Sequence, residues 1–81
     1  MLHELNNTNK VVGAKQAKRA LNDGRAEKLF LALDADPRVI EPLAALAGEK
    51  NVPMEEVPSM KELGAACGIS VGSAVAVLLS V

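Results

Sequence analysis

The sequence predicts an α/β domain, a three-layer α/β/α sandwich around a small, mixed four-stranded sheet. Helical and strand-like patterns alternate along the chain, and alternating elements of this kind form layers of helices over a sheet. Two stretches, residues 29–33 and Val75–Leu79, are apolar at every position, which is typical of strands covered on both faces. With 81 residues the chain has the size of one domain, and we expect residues 1–81 to form it.

The first half of the chain predicts a strand, a helix and a second strand. Val11 and Val12 are β-branched and precede Gly13, so they indicate a short strand. Apolar residues then recur at helical spacing, at Ala17, Ala20 and Leu21. Gly24 can adopt the left-handed conformation that ends a helix, and residues 29–33 supply the next strand. Residues 2–7 are expected to add a short helix before the first strand.

A long helix and an edge strand are predicted next. Asp36 is placed to cap a helix whose first residue is Pro37, a position where the missing N–H of proline costs nothing. This helix is expected to end within residues 48–51. Residues 52–57 read as a strand with a proline near each end, and proline favours a place at the edge of a sheet.

The last part of the chain predicts a short helix and a buried strand. Ser59 and Glu62 have the spacing of a capping box. The helix that follows has an inward stripe formed by Met60, Leu63, Ala66 and Cys67, and Gly68 ends it. Val75–Leu79 is the final strand.

The composition excludes several classes of protein. A single Cys cannot form an internal disulfide, and one His with one Cys cannot complete a zinc site from N and S ligands. A single aromatic residue cannot form a stacking platform for single-stranded nucleic acid. No apolar run is long enough to span a membrane, and the first residues do not resemble a signal peptide. We expect a cytoplasmic protein without a cofactor or metal.

The sequence offers no catalytic constellation. Cys67 lies on the inward stripe of its helix, where a cysteine acts as a small buried hydrophobe. His3 has no obvious acid partner. Asp34 and Asp36 could form a carboxylate pair, but capping and loop roles explain both more simply. We therefore expect that the protein is not an enzyme.

The net charge of −1 hides a strong asymmetry. Residues 10–28 hold two acidic and six basic residues, which are Lys10, Lys15, Lys18, Arg19, Arg25 and Lys28. That segment carries +4 and the rest of the chain −5, which predicts a compact positive site at one end of the first helix. Such a charge run is commonly a solvated helix face. The alternative is an anion or nucleic-acid site, in which Gly13 permits close approach and the helix N-terminus offers N–H groups.

A second glycine-containing loop precedes the last strand. Ile69 and Val71 lie in it among small residues. They could close the core, or they could form a low aliphatic platform against which an extruded base packs. In the second case Gly72 would allow a backbone to approach and Ser73 could donate a hydrogen bond.

Three motifs together resemble a known family. Residues 11–16 read VVGAKQ, residues 34–37 read DADP, and residues 63–72 read LGAACGISVG. In this order and spacing they resemble the superfamily of ribosomal proteins L7Ae and L30e, and within it the bacterial YbxF-type branch. The resemblance covers residues 10–81, nearly the whole chain.

The resemblance implies an α/β/α domain that binds kink-turn RNA, a duplex bent sharply at a three-nucleotide bulge beside tandem sheared G·A pairs. Members of the family insert a helix N-terminus at those pairs, and the matching residues here are Gly13, Lys15 and Gln16. The segment that packs on the bulged nucleotides matches Ile69, Ser70, Val71, Gly72 and Ser73. Basic positions near the RNA backbone match Lys18, Arg19 and Lys61. In this picture Gly24 and Gly64 are structural.

One departure from the family pattern concerns the base contacts. Many archaeal and eukaryotic relatives carry Asn-Glu where this chain has Lys15 and Gln16. Without the Glu carboxylate an acceptor for guanine N–H groups is missing, although the amide oxygen of Gln16 can partly replace it. Lys15 instead offers its charge to guanine O6 and N7 or to phosphate. The departure bears on affinity more than on the mode of binding.

Two functions of different class follow from these observations. The first is a ribosomal-protein-like RNA-binding protein, a monomer whose partner is a kink-turn in ribosomal or regulatory non-coding RNA and which could be associated with the ribosome. The second is a protein-interaction module that keeps the fold but has lost RNA binding, since one fold hosts many functions.

Overall fold

The computed structural model describes residues 9–80, so the helix predicted for residues 2–7 lies outside the described part. Seven elements follow one another: β1 (Lys10–Val12), α1 (Ala14–Asn22), β2 (Ala26–Ala32), α2 (Pro37–Glu49), β3 (Met54–Val57), α3 (Met60–Ala66) and β4 (Val75–Leu79). The predicted alternation of helices and strands is confirmed over this range.

The four strands form one mixed sheet in the order β1-β4-β2-β3. β4 is antiparallel to both of its neighbours, whereas β2 and β3 are parallel. β3 is an edge strand, as its prolines predicted. Because β1, β2 and β3 run in the same direction, all three helices begin at the end of the sheet where these strands finish and where β4 starts. We call this the upper end of the sheet and the opposite one the lower end.

Both faces of the sheet are buried, which explains the uninterrupted apolar runs of β2 and β4. One face, with Leu29 and Val77, packs against α1 and α2 through Ala17, Ala20, Leu21, Leu43 and Ala47. The other face, with Phe30 and Ala76, packs with Leu63 and Cys67 of the α3 segment. The three-layer α/β/α sandwich is therefore confirmed.

β2 and β3 differ in extent from the sequence-based expectation, and β3 begins at Met54 and not at residue 52. β2 begins at Ala26 and ends at Ala32, so it includes charged residues before the apolar run and leaves out Leu33, which is exposed. The Lys28 ammonium binds the Glu55 carboxylate on β3 at 2.9 Å and lies 5.4 Å from the centre of the Phe30 ring. A lysine with such partners is compatible with a strand, although apolar periodicity does not reveal it.

Local capping signals in the sequence are confirmed. An Asp36 carboxylate oxygen accepts a hydrogen bond from the backbone N–H of Arg38 at 2.9 Å, and α2 ends at Glu49 within the expected range. The Ser59 hydroxyl accepts from the Glu62 N–H at 3.1 Å. Gly68, with φ of 80°, follows the last turn of the α3 segment.

Cys67 directly follows the last residue of α3 and is buried, as expected for a small core residue. Its burial raises the pKa of the thiol above the ordinary value. A thiol with a raised pKa is a weaker nucleophile at neutral pH because less thiolate is present.

Candidate functional site

The upper end of the sheet brings together the two segments that the sequence analysis singled out. The backbone N–H of Gly13, just before α1, donates to the carbonyl oxygen of Val75 at 3.1 Å. Val75 is the first residue of β4 and directly follows the second glycine-containing loop. In the same place the Ala32 N–H donates to the Ala74 carbonyl at 2.9 Å. The start of α1 and the loop over residues 68–74 are therefore adjacent.

The start of α1 is built around Gly13. This residue is the N-cap, with φ of 102° and ψ of 154°, a conformation that glycine adopts without strain. No side chain within residues 9–80 caps the helix, so its first N–H groups lack a capping partner. Lys15 and Gln16 are exposed on the first turn. This end of α1 thus combines free amide donors with one cationic and one amide side chain.

The second loop exposes its aliphatic residues. Ile69 is 36% exposed and Val71 is 69% exposed, so neither closes the core. Ser70 and Gly72 are exposed beside them. Of the two alternatives left open by the sequence, the structure favours an aliphatic surface patch.

The loop is held in place by its contacts with α3. The Ile69 N–H donates to the Gly64 carbonyl at 3.1 Å, and the Ser73 N–H donates to the Met60 carbonyl at 3.0 Å. Gly64 is buried, and a Cβ atom at this position would overlap the carbonyl oxygen of Val71. The predicted structural role of Gly64 is explained by this close approach.

Ser73 requires a correction. The residue is only 6% exposed, and its hydroxyl donates to the Val75 carbonyl oxygen at 2.6 Å. The Ser73 hydroxyl therefore donates its proton within the protein, and the expected hydrogen bond from this hydroxyl to an RNA is not supported. The residue shapes the loop from inside.

The basic residues are less concentrated than the charge count suggested. Lys15, Lys18 and Arg19 are exposed along α1, and Arg19 belongs to its last turn. Lys61 is exposed on the first turn of α3, which also begins at the upper end. In contrast, Arg25 lies beyond the far end of α1 and pairs with Asp23 at 3.5 Å.

Lys28 also lies outside the site, because its ammonium binds Glu55 and holds the pKa of that carboxyl below its ordinary value. The compact positive site expected at one end of the first helix therefore does not include Arg25 and Lys28. The exposed cations at the upper end come from the first turns of the three helices, and they are Lys15, Arg38 and Lys61.

Asp34 and Asp36 are capping residues, as the simpler explanation held. Asp34 accepts the N–H of Met60 at 2.8 Å across 26 sequence positions, and so fixes the start of α3. Asp36 caps α2 and also binds the guanidinium of Arg38, which lowers the pKa of the Asp36 carboxyl. Sequence reasoning did not identify Arg38, since no local pattern marks it.

Comparison with known proteins decides the family. Residues 2–81 match the ribosomal protein L7Ae/L30e/S12e/Gadd45 family. The chain belongs to this family. The resemblance stated from the sequence motifs is thus confirmed for nearly the whole length.

Relatives of this L7Ae-family chain are named as RNA-binding proteins. It is 49% identical over 69 residues to the RNA-binding protein YbxF of Geobacillus stearothermophilus, covering 85% of this chain and 84% of that one. It is 44% identical over 71 residues to an RNA-binding protein of Halalkalibacterium halodurans, and the match covers 88% of this chain and 87% of that one. These are not the names of enzymes.

Solved structures share the L7Ae fold. The Giardia lamblia 15.5kD RNA binding protein superposes with a TM-score of 0.88 at 32% identity, over 99% of this chain and 68% of that one. A Bacillus halodurans protein of unknown function superposes with a TM-score of 0.86 at 22% identity, over 98% and 83%, which bears on the fold alone.

Residues 9–80 of this L7Ae-family chain hold neither a cluster of metal ligands nor a membrane-spanning helix. Their His, Cys, Asp and Glu residues form no group of three that could hold a metal ion. Among the helices of the same part of the chain, none is long and apolar enough to cross a membrane.

Proposed function

We propose that this L7Ae-family chain binds kink-turn RNA, with the start of α1 at the tandem G·A pairs and the loop around Ile69 and Val71 at the bulge. The observation that carries the proposal is the hydrogen bond from Gly13 to Val75. It fixes a donor-rich helix start beside an exposed aliphatic loop, and a kink-turn presents G·A pairs next to bulged nucleotides.

The chemistry of the α1 start suits base edges in a widened groove. Lys15 can donate to guanine O6 and N7, and the Gln16 amide can both donate to and accept from a base edge. The free N–H groups of the first turn and the helix dipole favour nearby phosphate. Because amide oxygen is a weaker acceptor than carboxylate, Gln16 supports recognition of guanine N–H groups less strongly than a glutamate would.

The chemistry of the loop suits nucleotides that have already left the stack. Ile69 and Val71 offer aliphatic surface and no directional hydrogen bonds, so they can cover a base face without selecting its identity. Phe30, the single aromatic residue of the chain, is fully buried. Exposed aromatic side chains on which bases could stack are therefore lacking in the described part of the chain. Recognition under this proposal depends on the shape of an RNA that is already bent.

The proposed partner is a structured RNA, ribosomal or regulatory, bound by a cytoplasmic monomer. The test is a titration of the wild-type protein with a kink-turn duplex and with a control duplex whose G·A pairs are replaced by Watson–Crick pairs. We expect a complex with the first RNA and much weaker binding to the second. Equal binding of both RNAs would contradict the proposal. Absence of binding to either RNA would also contradict it, and would favour a protein-interaction module that has lost RNA binding.

A further inference from the structure

A groove of about 310 Å³ lies between α1 and α2, next to the start of α1. Its lining is partly apolar and partly cationic, and comprises Ala14, Lys15, Lys18, Arg38, Val39, Pro42 and Leu43. None of these residues is acidic. Lys15 and Lys18 stand on neighbouring turns of α1 because residues three apart share a helix face. The groove therefore offers two lysines from one wall and an arginine from the other.

Arg38 is oriented by its neighbour Asp36. The Arg38 Nε donates to both carboxylate oxygens of Asp36 at 3.2 and 3.1 Å, and its Nη2 donates to Oδ2 at 2.8 Å. Asp36 is itself fixed because it caps α2. A guanidinium carries five N–H donors, so this pairing leaves some of them available, and the Arg38 side chain is 90% exposed. The pairing holds a donor group at the groove at a low cost in side-chain entropy.

We propose that the groove binds the sugar–phosphate backbone of the same RNA, an inference that rests on the proposed function and extends its footprint from α1 onto α2. Charge complementarity points to an anionic occupant, since the lining holds three cations and no acid. Lys15 lies both in the groove and at the start of α1, so the two surfaces are continuous. Val39, Pro42 and Leu43 provide apolar surface that can contact the carbon face of a ribose.

Arg38 has a different task from Lys15 and Gln16 under this proposal. A phosphate contact carries no sequence information, so its loss weakens binding to every RNA by a similar factor. Asp36 offsets much of the charge of Arg38 at long range, and the contribution of Arg38 is therefore hydrogen bonding at contact distance. Loss of the Arg38 side chain should therefore change the affinity for RNA and its salt dependence without changing specificity.

The first experiment measures affinity for the kink-turn duplex over a series of salt concentrations. Arg38→Ala and Arg38→Gln are expected to bind more weakly and to lower the slope of log K against log salt by about 1. The preference for the kink-turn over its Watson–Crick control should stay the same. Lys50→Ala is the matched control, because Lys50 lies at the lower end of α2 and its loss changes the net charge by the same amount.

The second experiment locates the contact on the RNA. Single phosphates of the kink-turn duplex are replaced by neutral methylphosphonates, and each RNA is bound by the wild type and by Arg38→Ala. At the contacted phosphate the wild type should lose affinity, whereas Arg38→Ala should lose little more than it has already lost. Additive losses at every position would overturn the proposal.

The outcomes separate the two claims. If the wild type does not distinguish a kink-turn from its control, the proposed function fails. The wild type could distinguish them while both Arg38 variants keep the wild-type affinity and salt slope. That result would overturn only the groove proposal, and the groove would then be a candidate site for a partner other than RNA. Melting temperatures of the variants confirm that each is folded.

Discussion

The backbone N–H of Gly13 and the carbonyl oxygen of Val75 are joined by a hydrogen bond of 3.1 Å. The same oxygen accepts the hydroxyl of Ser73 at 2.6 Å. Two segments that are about 60 residues apart in the chain are thus fastened to one atom at the upper end of the sheet. The geometry of the candidate site depends on this junction.

Ser73→Ala should destabilise the fold. The substitution leaves the Val75 carbonyl with one donor fewer in a buried position, which costs about 1 kcal/mol in the free energy of unfolding. Urea denaturation measures the change. Ser70→Ala is the control in the same loop, and because Ser70 is exposed its stability should equal that of the wild type. A Ser73→Ala variant as stable as Ser70→Ala would contradict the role assigned to this hydroxyl.

Gly64→Ala should displace the second loop. A Cβ atom at this position overlaps the carbonyl oxygen of Val71, so the loop must move away from α3. We expect lower stability and weaker binding of kink-turn RNA, measured by thermal denaturation and by titration.

Gly48→Ala is the matched control for that change. Gly48 lies in α2 with no atom within 4 Å of its Cβ position, and replacing a helical glycine by alanine stabilises a helix by about 0.5–1 kcal/mol. If Gly64→Ala behaved like Gly48→Ala, the close packing of the loop on α3 would be refuted.

Val71→Ser should separate binding from stability. Val71 is largely exposed, so the substitution should leave the melting temperature nearly unchanged while it weakens RNA binding through lost aliphatic contact. Met54→Ser is the control, since Met54 is an exposed hydrophobic residue at the lower end of the sheet. Equal RNA affinities of the two variants would exclude the loop from the interface.

Glu55 should make the stability depend on pH. Lys28 lowers the pKa of the Glu55 carboxyl, so the folded state favours its ionised form. The resulting stabilisation is present above the ordinary glutamate pKa and is lost as the pH falls through the lowered value. Glu55→Gln should therefore lose less stability than the wild type between neutral and acid pH, as measured by urea denaturation. If the free energy of unfolding changed with pH in the same way in Glu55→Gln and in the wild type, the Lys28–Glu55 pair would contribute nothing to the pH dependence.

Much of the fold could be predicted because its signals are local. The caps at Asp36 and Ser59, the end of a helix at Gly68 and the edge position of β3 all depend on residues within a few positions of each other. The apolar runs of β2 and β4 identified strands covered on two faces for the same reason. The ends of β2 and β3 differ from the prediction, and at the start of β2 the reason is that Lys28 gains a partner from β3.

The features that the sequence did not predict depend on contacts between segments that are distant in the chain. Asp34 caps a helix that begins 26 positions later, and the side chain of Ser73 turns inward while that of Val71 turns outward in the same loop. No periodicity distinguishes these two residues. The groove with Arg38 arises only when α2 packs beside α1. The resemblance to the family pointed to the two segments of the candidate site, and the structure shows that they are adjacent.

The most direct test of the central claim is the specificity of the Lys15→Ala/Gln16→Ala double variant. Its affinities for the kink-turn duplex and for the Watson–Crick control are measured beside those of the wild type, with melting temperatures as a check of folding. We predict that the double variant keeps its melting temperature and loses most of its preference for the kink-turn. A wild-type preference in the double variant would contradict the assignment of the start of α1 as the surface that reads the G·A pairs.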